Sequence, residues 1–252
     1  MPTYKENPKT AGSGILACIP QTGRCPNGCR DCFFQSGRSY LEPLADHLPN
    51  MPSPALAARH VVRVNDGNDS NVDRELAIAA TAQYPMRFFN TAIPHDLGGL
   101  PGPVVLTVNP GEDTDNGPAT LLDPIPRNLM FVRFRANTWN LALANAVVDH
   151  YSRRDCPTVL TFMAYFQDRP VRRHRNVYAF RTRTTNSYWA ITAAAWEEIM
   201  AHYRHNRWVY SCGKIEGEQG TTACRHCGNC LREYFATMER LDRGAAKEGP
   251  PQ

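Results

Sequence analysis

The sequence predicts an α/β fold: a partial (β/α)6 TIM-like barrel of mostly parallel strands, followed by a helical, cysteine-rich extension. Three observations carry that expectation. Six short apolar, β-branched or aromatic runs recur between residues 14 and 166, each closing on a polar residue or a Gly/Pro turn. Helical patterns separate several of these runs, and strand–helix–strand alternation argues for parallel βαβ units. Polar residues gather where the runs end, which is where such barrels build their sites.

The first run, ILACIPQTG, starts at Ile15, and HVVRVNDGNDS (60–70) is the second. MRFFNTAIP (86–94), PVVLTVNPGE (103–112), LMFVRFRAN (129–137) and PTVLTFMAYF (157–166) follow. Asn65, Asp66, Asn90, Asn109, Glu112, Arg135 and Asn137 mark their C-terminal ends. Helices are expected over DRELAIAATAQY (73–84) and TWNLALANAVVDHYS (138–152), the latter capped by Thr138. The link HDLGGLPG (95–102) is too short for a crossover helix, so the barrel is pared down there. From residue 187 the pattern is helical, in AITAAAWEEIMAHYRH (190–205) and LREYFATMERLDR (231–243). Leu231, Phe235, Met238 and Leu241 recur at helical spacing and read as core packing. The expected organisation is an N-terminal arm (1–13), the barrel (14–211), the extension (212–243) and a disordered tail (244–252).

With 252 residues, 42% hydrophobic and 21% charged, the composition is that of a soluble globular chain with one core. No apolar run approaches the roughly 18 residues that span a bilayer. MPTYKENPKTAGSG lacks the apolar stretch of a secretory signal, so the expected compartment is the cytoplasm and no membrane partner is expected. A net charge of +4 is too small to argue for nucleic acid by itself.

The compartment bears on the nine cysteines, because clustered thiols in a reducing environment are metal ligands or catalytic groups more often than disulfides. Cys25, Cys29 and Cys32 form one cluster and Cys212, Cys224, Cys227 and Cys230 another. Cys18 reads as a small core residue, and Cys156 begins a strand with no evident role. In RCPNGCRDCFF, Pro26 and Gly28 permit a tight turn around three soft ligands. Structural zinc takes a closed set of four ligands, whereas a 4Fe–4S cube held by three cysteines keeps one iron open.

Cys25-Pro-Asn-Gly-Cys29-Arg-Asp-Cys32, placed directly after the first strand, resembles the cysteine loop of the radical S-adenosylmethionine superfamily. The resemblance implies that these three cysteines hold a 4Fe–4S cluster whose open iron chelates S-adenosylmethionine. Reductive cleavage would then give a 5′-deoxyadenosyl radical that abstracts hydrogen from a substrate. The family commonly has an aromatic residue before the third cysteine; this chain has Asp31 there, and Phe33 becomes the aromatic candidate beside the adenine. The family's glycine-rich acidic segment corresponds to VNDGNDSN (64–71), which makes Asp66 or Asn68 the candidate for the methionyl amino group. A helix N-cap at Asp69 or Ser70 fits the same segment. Arg135 would pair with the cofactor carboxylate through its planar fork. Asn109 and Glu112 would face ribose or substrate. A flavodoxin or ferredoxin would supply electrons, and the substrate would be a small molecule, a peptide or a nucleic acid.

Cys212-x11-Cys224-x2-Cys227-x2-Cys230 suits either a second 4Fe–4S cluster or zinc. His226, wedged between ligands, reads as exposed. RPVRRHRNVYAFRTR (169–183) holds six arginines with interleaved aromatics and suits a phosphate-binding strand pair or a solvated hairpin. Two other functions fit the same cysteines: a zinc protein that binds nucleic acid through this stretch, and an iron–sulfur carrier or sensor that leaves S-adenosylmethionine intact.

Overall fold

The computed structural model describes residues 3–29, 32, 34–35, 37, 39–110, 121–162, 164–165, 172–182, 187–212 and 224–248. Asp31, Phe33 and Glu112 lie outside them, as do residues 169–171 and 183 of the arginine-rich stretch.

Seven strands pair in strict chain order and all in parallel: β1 (Ile15–Cys18), β2 (Val61–Val64), β3 (Arg87–Thr91), β4 (Val104–Val108), β5 (Leu129–Ala136), β6 (Thr158–Phe162) and β9 (Val209–Ser211). Together they make a curled half-barrel. Between β6 and β9 the chain makes a separate antiparallel hairpin, β7 (Tyr178–Arg181) and β8 (Tyr188–Ile191). Parallel neighbours need a crossover. Helices α1 (Leu44–His47) and α2 (Pro54–Ala57) lie on the first, α3 (Arg74–Thr81) on the second, α4 (Leu141–Ser152) between β5 and β6, and α5 (Ala193–Ala201) before β9. Between β3 and β4 only a 3-10 turn, Leu97–Gly99, intervenes, in keeping with the short HDLGGLPG link.

The side chains alternate across this sheet, as the strand period of two requires. One face packs Val62, Val64, Leu106, Val132, Phe134 and Leu160 against α4 and α5 residues such as Val147, Tyr151 and Trp196. The other face changes character along each strand. Its first inward residues are apolar (Val61, Phe88, Val105, Phe131, Val159) and are covered by Tyr234, Leu231 and Met238 of α7 (Asn229–Glu248). Two residues further on, the same face presents Arg63, Asn90, Thr107, Arg133 and Thr161. Helix α7 therefore fills the apolar half of the concave face and leaves the polar half open as a cavity. Arg240 fastens it there, donating to Leu129 O at 2.8 Å and Arg127 O at 3.2 Å.

Several local expectations change. The sixth run is not the last strand of the sheet, because VYS (209–211) adds an edge strand. Residues 188–191 are strand rather than helix, and α5 starts after Thr192, whose hydroxyl accepts from Ala195 N–H at 3.3 Å. Helix α4 starts at Leu141 rather than at a Thr138 cap, because Asn137 Oδ1 accepts from the Trp139 and Asn140 amides at 3.0 and 2.9 Å and turns the chain first. Helix α3 begins at Arg74, so neither Asp69 nor Ser70 caps it. Cys156 precedes β6 and is buried with Cys18 in the main core. Helix α7 continues through Glu248, five residues beyond the periodic pattern that ended at 243. Among the described residues no helix is long and apolar enough to cross a membrane.

Candidate functional site

The cysteine loop leaves β1 and builds its own small core, in which Phe34, Cys25, Ile19, Leu41, Leu44 and Leu48 are buried together. Gly28, at φ +61°, makes the left-handed turn between Cys25 and Cys29 that a side chain would resist. The Cys32 amide donates to Cys29 O at 3.3 Å, Asn27 Nδ2 to Cys29 Sγ at 3.3 Å, and Gln35 Nε2 to Cys25 O at 2.5 Å. These contacts aim the loop without using its thiols as structural donors. Burial pushes the Cys25 thiol up to about 11; burial and then the neighbouring Cys32 push Cys29 up.

The loop after β2 locks onto the cysteine loop. Asn65 and Asn68 both take positive φ, at 60° and 66°, which asparagine tolerates better than most residues. Asn65 Nδ2 donates to Gln21 Oε1 at 2.6 Å and Asn68 Nδ2 to Gly23 O at 3.1 Å, tying both to the segment that leads into Cys25. Phe34 lies against the backbone of Gly67, so close that a Cβ there would sit 2.2 Å from its ring. Asp69 accepts from Thr91 Oγ1 at 2.7 Å, Ala92 N at 2.6 Å and Asn71 N at 2.9 Å, joining this loop to the end of β3. Asp66 turns the other way: it is ion-paired with Arg63 and accepts from Asn7 Nδ2 of the N-terminal arm.

The second cysteine set enters from the concave side. Cys212 directly follows β9, its amide donating to Leu160 O at 2.8 Å. Cys224 and Cys227 sit on one helical turn, α6 (Cys224–Cys227), at a spacing that puts both on one side. Gly228, at φ +66°, ends that turn and lets Asn229 and Cys230 open α7. Two contacts dock this segment: Asn229 Nδ2 donates to Ser211 O at 2.8 Å, and the Cys224 amide donates to Lys9 O at 2.8 Å. A thiol–thiol hydrogen bond with Cys227, and then burial, hold Cys212 well above its ordinary range. Burial pushes Cys230 up as well, against the opposing pull of Arg133 and Arg63. His226 is exposed and in contact with Arg225, not with the cavity.

All seven clustered cysteines line one cavity of about 620 Å³, within the roughly 300–1,000 Å³ range of small-molecule sites. Asp66, Asn68, Asn109 and Arg135 line it too, so every described residue named as a site candidate from the sequence meets there. Arg135 is hydrogen-bonded to Asn109. Among the described residues no three His, Cys, Asp or Glu side chains converge on a point that would hold a metal ion; the thiols line the wall instead. Arg63 and Arg133 went unnoticed in the sequence, although each interrupts an apolar strand at the same alternating position as Asn90. Tyr188, from the hairpin, reaches the cavity and gives that rim an aromatic wall. No family model, curated protein or solved structure matches this chain.

Proposed function

We propose that this chain is a radical S-adenosylmethionine enzyme. One observation carries the reading: Cys25, Cys29 and Cys32 follow the first strand of a curled parallel sheet and line the same cavity as the 65–69 loop of the next strand. That strand edge is where parallel α/β folds place their sites. The donor chemistry suits the group, since three thiols without a fourth loop ligand match a 4Fe–4S cluster with an open iron. When bound, the cluster supplies reductive cleavage of S-adenosylmethionine to a 5′-deoxyadenosyl radical for hydrogen abstraction.

The chain's own part is to hold and seclude. Gly28 and the Gln35 and Asn27 hydrogen bonds shape the ligand loop, while Phe34, Leu41 and Leu44 keep water from its underside. Cys25 and Cys29 prefer the neutral thiol before loading, so metal uptake releases their protons. Asn68, Asp66 and Arg135 supply the polar wall against which the amino acid part of the cofactor would lie, with Asp66 already engaged by Arg63. Cys212, Cys224, Cys227 and Cys230 would hold a second 4Fe–4S cluster, zinc being the alternative. A flavodoxin or ferredoxin in the cytoplasm would deliver the electron. A small molecule, a peptide and a nucleic acid all fit this front end.

Anaerobic reconstitution tests the reading. About seven to eight irons with matching sulfide per chain are expected, and reduction with S-adenosylmethionine should release 5′-deoxyadenosine. Cys29→Ala should abolish that release, whereas Cys227→Ala should lose about half the iron. Two zincs and no sulfide would end the reading in favour of a zinc protein. Full iron without cofactor cleavage would leave a carrier or sensor.

A further inference from the structure

Two guanidinium groups line the cavity, on inward positions two residues beyond the apolar half of the sheet's concave face. Arg63 is one of them, and its side chain is only 10% exposed. Its Nη2 pairs with Asp66, yet its Nε is buried without a hydrogen-bond partner among the described residues. Arg133 reaches across β4 to Asn90 Oδ1 at 3.2 Å and lies over the Phe131 ring at 5.6 Å; it has no carboxylate partner among the described residues. The thiols of the second cysteine set line the same cavity as these two groups. Cys212 and Cys230 pack against the apolar cluster that contains Phe131, the ring under Arg133, and all four cysteines of the second set share the cavity with Arg63 and Asp66. Arg63 is buried with Asp66 as its anion and Arg133 is half-buried with none among the described residues, so negative charge on the wall opposite would complement both.

We propose that Arg63 and Arg133 are fixed countercharges of the second metal centre: they fit Cys212, Cys224, Cys227 and Cys230 to an anionic iron–sulfur cluster and hold its reduction potential up. The proposal rests on the reading of those four cysteines as cluster ligands. Asp66 neutralises part of the effect of Arg63, so Arg133 carries the larger share. Four thiolates leave a cubane cluster with net negative charge, and each electron added increases it. A neighbouring guanidinium favours the reduced form, because net charge is one of the quantities that set cluster potentials. Zinc has no redox step for such a charge to tune.

The test uses the full chain carrying Cys25→Ala, Cys29→Ala and Cys32→Ala together, reconstituted anaerobically with iron and sulfide so that only the second centre remains. Its midpoint potential is read by redox titration followed by electron paramagnetic resonance. Arg133→Gln should lower the reduction equilibrium at least tenfold, about 59 mV for a one-electron couple. Arg133→Lys should keep most of the potential. Asn90→Asp, which sets a carboxylate beside the unaltered Arg133, should lower it again and serves if Arg133→Gln fails to fold. A potential unchanged in Arg133→Gln and Asn90→Asp would overturn the proposal, as would a centre that takes up zinc and excludes iron. The radical reading fails separately: the unsubstituted chain would then release no 5′-deoxyadenosine while the second centre still titrates with these shifts.

Discussion

Replacing Gly67 by alanine puts one methyl group where the two loops of the site touch. The added Cβ would lie 2.2, 2.6 and 2.8 Å from three atoms of the Phe34 ring, all far inside van der Waals contact. Gly67 does not need a left-handed backbone, so the whole penalty is this contact. The ring is only 5% exposed and is wedged with Ile19, Cys25, Leu41 and Leu44, so it cannot swing away without moving them. Overpacking of that kind costs about 1–3 kcal/mol, and a three-atom clash with a buried ring belongs at the upper end. Urea unfolding of Gly67→Ala should show a lower midpoint at unchanged m-value. Because Phe34 follows Cys32 by two residues, iron uptake at the first cysteine set should fall in the same variant. Phe34→Leu in the Gly67→Ala background should cost less than in the parent, since the two side chains compete for one space. Stability within about 0.5 kcal/mol of the parent, with full iron uptake, would refute the close packing of these loops.

Asp69→Ala should destabilise by roughly 2–4 kcal/mol in the same urea assay, because the Thr91 hydroxyl and the Ala92 and Asn71 amides lose their acceptor together in a buried place. Cys18 and Cys156 give a pH prediction. Burial raises both thiols from an ordinary value of 9.0 to about 12. The unfolded chain therefore sheds these protons first, and the contribution of these two thiols to stability is fully present below about pH 9 and is lost as pH rises toward 12. Each thiol contributes a slope of at most about 1.4 kcal/mol per pH unit, and Cys18→Ala should flatten the curve of unfolding midpoint against pH. A midpoint that rises with pH above 9 would contradict the burial of both.

The parallel half-barrel was legible because apolar runs and helical stretches alternate, and the short HDLGGLPG link correctly signalled a missing helix. VYS (209–211) was not, since three residues are too few to show a period. The boundary near 190 was misjudged because Ala-rich sequence hides a strand end; only the Thr192 cap marks where the helix starts. In the site, Cys25, Cys29 and Cys32 announced themselves by spacing, and Asp66, Asn68 and Arg135 by their place at strand ends. Arg63 and Arg133 were hidden within runs read as apolar. Their signal was the period of two, in Val61, Arg63 and Asn65 and in Phe131, Arg133 and Arg135, where one face passes from apolar to polar. That two distant cysteine sets share a cavity depends on α7 folding back over the concave face, through contacts such as Arg240 to Leu129 that join residues 111 apart.

The placement of α7 also sets an order of assembly during synthesis. Cys25, Cys29, Cys32 and the 65–69 loop emerge before most of the sheet exists; the contacts that join the two loops come from the connections after the first two strands, while Asp69 waits for the end of β3. The second set needs Cys212 behind β9, the lowest turn of α7, and a β5 already in place to receive Arg240. A nascent chain halted after β6 thus holds one cysteine set complete and none of the other, and the concave face stays uncovered until the helix that carries Cys230 has docked.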